Sequence, residues 1–230
     1  MEERLIKSAE RVKNHGEIFT PKKTVKYMLD QPEIKEKLHS LTATFLEPSA
    51  GEGAFLVEIL KRKMIYAIGQ SHSDKEYGEN CLISLSSLYG IEILEDNIEI
   101  LIMNMIMTFS DIYTTHVRSN FDVKAADKHV LESAKVIIRA NMVQGDALKR
   151  VKSDGSPIIF SEWKLISGKI RKVQRTEYTF DSIIEDGDPT GTVNGYSEQT
   201  SLFGIPEPEE KPKKQYTVVK WTDIYKQKVV

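Results

Sequence analysis

The sequence predicts an α/β domain, with a mostly parallel sheet flanked by helices and an N-terminal helical arm. The chain has 230 residues, 40% hydrophobic and 29% charged, which is typical of one globular domain. Residues 44–68 have the pattern of a strand, a glycine loop and a helix, the opening half of a parallel α/β unit. Two further strands, at residues 87–93 and around Met142 and Val143, each precede a polar or acidic turn.

The arm, residues 1–40, is predicted to contain two helices. Residues 1–15 place apolar side chains on one face and charged side chains on the other. Thr20 and Pro21 mark the start of the second helix. Thr can cap the free amides of a first turn, and Pro there lacks only an amide that would be unbonded. This helix is expected to end at Asp30, before the next proline.

Residues 41–185 are predicted to hold the main domain. The stretch 69–87 begins polar and is interpreted as a loop or an irregular insertion. Asp96 is expected to cap the helix that follows the second strand, and this helix is apolar on nearly all sides, which predicts deep burial. A fourth strand is predicted at TFDSII, and residues 186–230 are expected to form a polar loop and a C-terminal tail.

The charges are balanced overall but segregated along the chain. The net charge is −2, from 32 basic and 34 acidic residues, which argues against binding to nucleic acid by bulk charge alone. Eight basic residues lie between Lys149 and Arg175, whereas eight acidic residues lie between Asp181 and Glu210. The basic block contains Trp163 and is interpreted as a β-hairpin, with DNA contact as a possible additional role.

Cysteine and histidine usage suggests a compartment and disfavours a metal. The lone Cys81 cannot form an internal disulfide, which fits a reducing compartment. The five His residues are scattered without ligand spacing, so no metal site is predicted. The N-terminus is charged and no apolar run is long enough to cross a membrane. A cytoplasmic protein is therefore expected.

Candidate binding residues follow three predicted strands. Gly51 and Gly53 follow the first and allow close approach of a ligand to the main chain. Glu92 ends the second and could accept hydrogen bonds from a ribose diol, and Asp146 follows the third. Taken singly, each is also consistent with an ordinary turn or a solvated acid. Together, in this order, they favour a nucleotide-like ligand at the carboxyl ends of the strands.

The segments GEIFTP, LEPSAGEGAF, YGIEI and QGDAL resemble, in type and order, those of the S-adenosylmethionine-dependent adenine-specific DNA methyltransferases of restriction–modification systems. The resemblance implies a Rossmann-like methyltransferase fold with S-adenosylmethionine as cofactor. It implies that Thr20 and Pro21 contribute to the methionine end, that Glu92 binds the ribose with Ile93 against the adenine ring, and that Asp146 meets the adenine amine. The implied cofactor-binding residues are Thr20, Pro21, Glu47, Pro48, Ser49, Gly51, Gly53, Phe55, Glu92, Ile93, Asp146 and Ala147.

The resemblance covers about residues 16–185 and fails at the catalytic loop. The family's signature there is Asn, Asp or Ser followed by two prolines and an aromatic residue, which orients the target amine and stacks on a flipped base. This sequence has EDGDPTG instead, in which Asp186 or Asp188 could offer an acceptor and Pro189 a carbonyl. A simple acidic turn is the other interpretation, so the catalytic residues are left unassigned. Because few residues follow this loop, a truncated enzyme or one half of a split enzyme is a further interpretation.

The sequence thus predicts an S-adenosylmethionine-binding DNA adenine methyltransferase, or its cofactor-binding portion. The alternative is a catalytically inactive or split methyltransferase-like subunit that binds DNA or a partner chain carrying the catalytic loop. A second methyltransferase subunit or a specificity subunit is the implied partner. Methylation of a small molecule or a protein is a third interpretation, which GEIFTP and the basic block disfavour.

Overall fold

The computed structural model describes residues 5–166, 168, 170–185 and 214–230, except for the side chains of residues 15 and 185. Within them the helices are α1 (Ala9–His15), α2 (Lys22–Leu29), α3 (Pro32–Leu38), α4 (Ala54–Gly69), α5 (Asp74–Ser86), α6 (Glu95–Phe121), α7 (Lys128–Asn141) and α8 (Phe180–Glu185), and a 3-10 helix covers Trp221–Lys226. The strands are β1 (Phe45–Glu47), β2 (Leu88–Glu92), β3 (Met142–Gln144), β4 (Ile159–Ile166), β5 (Lys172–Thr179), β6 (Lys214–Gln215) and β7 (Val219–Lys220).

A three-stranded parallel sheet lies at the centre, in the order β1-β2-β3. Glu47 pairs with Gly90, and Glu92 pairs with Gln144. This confirms the three predicted strands and the α/β class. Because parallel strands end at the same edge of a sheet, the turns after all three strands lie on one side. The larger order of strands implied by a Rossmann-like fold stays a prediction.

The main core is formed by α4, α5, α6 and α7 packing around the sheet. Leu56, Leu82, Leu88 and Leu101 are fully buried there. The expectation that α6 is buried on nearly all sides is wrong: Met103 and Met107 are more than half exposed. A helix at the surface of a single sheet has one side for the core, even when its sequence is apolar all round.

The stretch interpreted as an irregular insertion contains a buried helix, so that prediction is wrong. Ser73 caps α5 by accepting a hydrogen bond from the Glu76 amide. Tyr77, Cys81 and Leu85 on this helix are fully buried. The polar residues at 71–76 are the cap and first turn of a helix, where polar side chains are favoured.

An antiparallel hairpin of β4 and β5 forms a second sheet, and both β6 and β7 pair with β5. This confirms the predicted hairpin. Phe160 and Phe180 pack with Ile91 in a smaller second core cluster, so the hairpin covers part of the central sheet. Trp163 is buried as well and donates from Nε1 to the Asn141 Oδ1 atom at 3.1 Å.

The predicted fourth strand is wrong: Phe180–Glu185 is helical, and the extended structure ends at Thr179. The Thr179 hydroxyl accepts a hydrogen bond from the Ser182 amide at 3.3 Å, in the manner of a helix cap. Residues 186–189, where the sequence offers acceptors for catalysis, lie outside the described residues.

The C-terminal residues 214–230 are packed against the domain, which corrects their interpretation as a tail. Trp221 and Ile224 are 1% exposed and belong to the main core. The 3-10 helix that carries them packs chiefly against α7 and also against α5. The division of the remaining chain into arm and main domain stays a prediction.

The predicted helix starts are corrected in detail. Helix α1 begins only after Ser8, whose hydroxyl caps it. Pro21 rather than Thr20 is the cap residue of α2, and α6 begins after Leu94, with Asp96 inside its first turn. Among the described residues, no helix combines the length and the apolar character needed to cross a membrane.

Candidate functional site

The turn after β1 requires glycine at two positions. Gly51 has a φ of 53° and Gly53 a φ of 94°, a left-handed region that other residues rarely adopt. A Cβ atom at Gly53 would lie 2.4 Å from Cδ1 of Leu101, which is fully buried. The Ala50 amide donates to the Ile91 carbonyl at 2.9 Å, which fixes the turn to the neighbouring strand. The loop thus combines a tight backbone with close packing on α6.

Glu92 fastens this loop to the end of β2. Its Oε2 atom accepts a hydrogen bond from the Gly51 amide at 2.7 Å, and its Oε1 atom accepts one from the Leu94 amide at 2.9 Å. The residue is only 5% exposed. An ionised carboxylate has about four acceptor positions, so Glu92 keeps capacity for a further donor. The predicted ribose-binding acid therefore also has a structural role. Its two hydrogen bonds, from the Gly51 and Leu94 amides, are here named the Glu92 clasp.

The turn after β3 lies beside that clasp. The Gly145 amide donates to the Glu92 carbonyl at 2.9 Å. Asp146 follows, and its Oδ1 atom accepts from the Leu148 and Lys149 amides, each at 3.0 Å. The Lys149 amide and ammonium group hold the pKa of Asp146 below its ordinary value. The Lys149 ammonium group also lies 3.1 Å from Oδ2 of Asp146. It therefore occupies the carboxylate that is predicted to accept from the adenine amine.

The arm reaches the same edge of the sheet through Phe19. Its ring lies over Gly51, 3.8 Å from where a Cβ atom would be. Thr20 and Pro21 come directly after Phe19 and are partly buried. The predicted methionine-end element and the predicted glycine loop are therefore in contact through adjacent residues.

The remaining predicted residues differ in how available they are. Glu47 ends β1, and burial raises the pKa of its carboxyl group. Its Oε1 atom accepts from the Ser49 amide at 3.3 Å, while Pro48 is exposed. Phe55 packs against the main core, and Ala147 packs against the second cluster. Ile93 is 52% exposed, as an apolar wall for a ring would be.

Sequence reasoning missed a charged cluster in which α1 meets α6. Arg11 binds both oxygens of Glu17, at 2.5 and 2.8 Å, and also pairs with Asp96. Lys7 donates to Asp96 at 2.9 Å and to the Asn97 Oδ1 atom at 2.6 Å. These cations lower the pKa of Asp96 to about 2, with the Arg11 hydrogen bond as the largest cause. Two members of this cluster lie in or near the recognised motifs: Glu17 belongs to GEIFTP, and Asn97 follows Glu92 by five residues. Their closeness to those motifs could have indicated them.

The arginines of the basic block are largely engaged inside the molecule. Arg150 pairs with Asp181, and Arg171 pairs with Glu79. Arg175 lies between two aromatic rings, with its guanidinium carbon 5.1 Å from the Trp163 ring centre and 4.2 Å from that of Tyr216. Within the described parts of the chain, no group of three or more His, Cys, Asp or Glu side chains is arranged to hold a metal ion.

The sequence matches the family described as N-6 DNA methylase over residues 2–180. Neither the curated proteins nor the solved structures give a match. The matched region includes nearly all of the arm, the glycine loop, Glu92 and Asp146, and it ends at the first residue of α8. The chain therefore belongs to the N-6 DNA methylase family, the adenine-specific DNA methyltransferases of restriction–modification type that its motifs resemble.

Proposed function

We propose that this chain binds S-adenosylmethionine and transfers its methyl group to the adenine amino group of DNA. The observation that carries the proposal is the Glu92 clasp. One carboxylate at the end of β2 holds the positive-φ glycine loop of β1 through the Gly51 amide, beside the turn that presents Asp146. Family membership supports DNA as the substrate. DNA binding, a restriction–modification setting and a cytoplasmic location are parts of the same proposal.

The charges around the site suit this cofactor. S-adenosylmethionine carries a sulfonium cation and an ammonium group and has no phosphate, so it needs acids more than a phosphate cradle. At this edge two cations of the arm pair with three carboxylates, and a fourth carboxylate, that of Glu92, is linked to the group through Asn97. The members are Lys7, Arg11, Glu17, Glu52, Glu92 and Asp96. The excess of negative charge supports binding of a cationic ligand.

The chain's own residues would bind and orient the cofactor. Glu92 would accept from the ribose hydroxyls with its remaining lone pairs, and Ile93 would contact the adenine ring. Asp146 would accept a hydrogen bond from the adenine amine after the Lys149 ammonium group moves away from its carboxylate. Gly51 and Gly53 would let the main chain approach, and Thr20, Pro21 and Glu47 would contribute to the methionine end. When bound, S-adenosylmethionine supplies the methyl group on its sulfonium.

Calorimetric titration with S-adenosylmethionine tests cofactor binding. We expect Glu92→Gln to weaken binding about 10- to 100-fold, because the new amide places a donor against the Gly51 or Leu94 amide and the ribose loses an acceptor. Glu95→Gln is the matched control, since Glu95 is exposed on the next helix, and it should bind like the wild type. A wild-type chain that shows no binding would contradict the proposal.

A second candidate is a methyltransferase subunit completed by a partner chain that carries the catalytic loop. The observation that favours it is the outer edge of β1. The Phe45 amide donates to the Ser87 carbonyl, on the side of β1 that faces β2. Because alternate residues of a parallel strand bond to opposite sides, the Leu46 amide and carbonyl point away from β2. Leu46 is 44% exposed, and no strand among the described residues pairs with this edge. Beside it lies an apolar cavity of about 220 Å³, partly lined by Tyr89 and Phe160.

Transfer of labelled methyl from S-adenosylmethionine to duplex DNA separates the two candidates. Label incorporated by the purified chain alone supports an autonomous enzyme. Label that requires a second polypeptide with an Asn-Pro-Pro-Tyr loop supports the subunit. In the latter case Leu46→Pro should abolish activation and leave cofactor binding intact, because it removes only an outward amide. Leu46→Val, which keeps the outward amide and an apolar side chain, serves as the control.

A further inference from the structure

We propose that Asn97 is a positioning residue of the cofactor pocket, which sets the spacing between the arm and the ribose-binding acid. The inference rests on the proposed function and names a residue that the sequence motifs do not include. Asn97 is 1% exposed in the first turns of α6. Its side chain lies between Glu17 of the arm and Glu92 of the central sheet, two buried carboxylates that come from distant parts of the chain.

The amide of Asn97 donates to both acids. Nδ2 lies 2.7 Å from Oε1 of Glu17, a strong contact, and 3.5 Å from Oε1 of Glu92, a long and weaker one. The same Glu92 oxygen also accepts from the Leu94 amide. One NH₂ group thus connects the loop that leads to the Thr-Pro element with the carboxylate predicted to hold the ribose.

Two cations fix the direction of this amide. Its Oδ1 atom accepts from Lys7 Nζ at 2.6 Å and from Arg11 Nη2 at 3.4 Å. Because ammonium and guanidinium groups only donate, the oxygen must face them and the nitrogen must face the acids. Asn97 therefore cannot reverse its side chain without placing an NH₂ group against Lys7.

The neighbourhood explains why an amide, rather than an acid, is needed here. The groups that face Asn97 are Lys7 from just before α1, Arg11 from α1, Glu17 from the arm loop and Glu92 from β2, with Asp96 adjacent on α6 and Glu52 reached through Lys7. Four carboxylates already outnumber two cations. A fifth between the two buried acids would repel both until one carboxyl group took up a proton.

The test is cofactor affinity as a function of pH in Asn97→Asp. At pH 8 we expect S-adenosylmethionine to bind about tenfold more weakly than to the wild type. At pH 5.5 a proton shared among the three acids restores a donor, and the affinity should return to within about threefold of the wild type. The wild-type affinity should vary little over this range, since Arg11 keeps the pKa of Glu17 below its ordinary value.

Matched variants separate positioning from a general loss of structure. Asn120→Asp makes the same change at an exposed site near the other end of α6 and should leave both affinity and its pH profile unchanged. Glu17→Gln combined with Asn97→Asp removes one repelling charge and should recover part of the affinity at pH 8. If Asn97→Asp does not fold, Asn97→Leu replaces it and should bind the cofactor about three- to tenfold more weakly, whereas Asn97→Gln, which keeps an amide, should recover part of that affinity.

Three results would distinguish the possible failures. Wild-type affinity in Asn97→Asp at both pH values, or in Asn97→Leu, overturns the positioning role while the proposed function stands. An equal loss in Asn97→Asp at pH 5.5 and pH 8 assigns Asn97 a merely structural role and also overturns the inference. Absence of binding by the wild-type chain removes the proposed function itself.

Discussion

At the residue scale, Glu92 shows why an acid predicted to bind the cofactor can also have a structural role. The carboxylate accepts hydrogen bonds from two backbone amides of separate turns, and these bonds fix the direction of its side chain at the edge of the sheet. Replacing it by Ala would remove both bonds together with the ribose acceptor. A loss of cofactor binding in Glu92→Ala would therefore mix two causes, whereas Glu92→Gln preserves the volume of the side chain.

Gly53 should be far less tolerant of a methyl group than Gly51. We expect Gly53→Ala to lower the free energy of unfolding by about 2–4 kcal/mol, because a positive φ adds to a clash with the buried Leu101 side chain. Gly51→Ala should lower it by only about 1 kcal/mol, since its Cβ atom would meet Phe19 at an ordinary 3.8 Å. Urea unfolding measures both, and equal losses would show that packing on α6 is unimportant. Gly53→Val should therefore disturb the fold as well as cofactor binding.

Lys63 should make the stability of the protein depend on pH. It is fully buried on α4, where Nζ donates to the Ala43 carbonyl and the Ser87 hydroxyl, and burial lowers its pKa to about 7. Between pH 7 and the unfolded pKa of 10.5, the unfolded chain binds more protons at this site than the folded one. Stability therefore rises with pH across this window.

Urea unfolding at pH 7 and pH 9.5 checks this dependence against Lys63→Met. Relative to that variant, the wild type should gain on the order of 3 kcal/mol on going to the higher pH. Lys61→Met, at an exposed lysine of the same helix, should track the wild type. Parallel curves for the wild type and Lys63→Met would contradict the prediction.

At the scale of elements, the parts with clear periodicity were predictable and the parts that depend on partners were not. Apolar runs bounded by glycine-containing turns predict the strands β1, β2 and β3 and the helix α4. Helix α5 was missed because its buried face includes small polar residues such as Ser84 and Ser86, which hide the helical pattern. The helix α8 depends on a hydroxyl cap at Thr179, a local bond that an apolar pattern does not reveal.

The same reasoning explains how much of the site was predictable. Glycines and strand-end acids are recognised one position at a time, so the motifs indicated Gly51, Gly53, Glu92 and Asp146. The structure brings the turns that carry them to one edge of the sheet. The cluster of Lys7, Arg11, Glu17 and Asn97 depends on where α1 docks. No local pattern specifies that docking, because the partners are about 80–90 residues apart.

The 3-10 helix near the C-terminus should contribute strongly to stability. We expect Trp221→Ala to lower the free energy of unfolding by about 3–5 kcal/mol, because the side chain is 1% exposed within the main core. Val230→Ala, at a position 79% exposed, should change it by less than about 0.5 kcal/mol. Thermal or urea unfolding compares the two, and similar values would mean that this segment is not part of the cooperative unit.

At the scale of the whole molecule, cofactor binding should stabilise the entire domain. The proposed cofactor site draws on residues of the arm, the central sheet and α6, so the ligand should bind only when these are assembled. At a free concentration 100-fold above Kd, S-adenosylmethionine should add about 2.7 kcal/mol, which raises Tm by roughly 5–10 °C in a chain of this size.

Differential scanning calorimetry with increasing cofactor measures that rise in Tm. Adenosine, which lacks the cationic methionine part, should give a much smaller shift at the same concentration. Glu92→Gln should need a higher cofactor concentration for the same shift. A Tm that does not depend on cofactor concentration would show that the ligand does not bind the assembled domain.

The hydrogen bonds and ion pairs at this edge of the sheet also bear on the order in which its parts can assemble during folding. The Gly51–Glu92 bond joins residues 41 apart, whereas the Arg11–Asp96 and Lys7–Asp96 pairs join residues 85 and 89 apart. Each doubling of loop length adds about 0.6 kcal/mol of closure entropy, and long-range contacts form slowly. The arm should therefore dock after the sheet has formed. During synthesis, this docking has to wait until the chain as far as Asn97 has emerged from the ribosome.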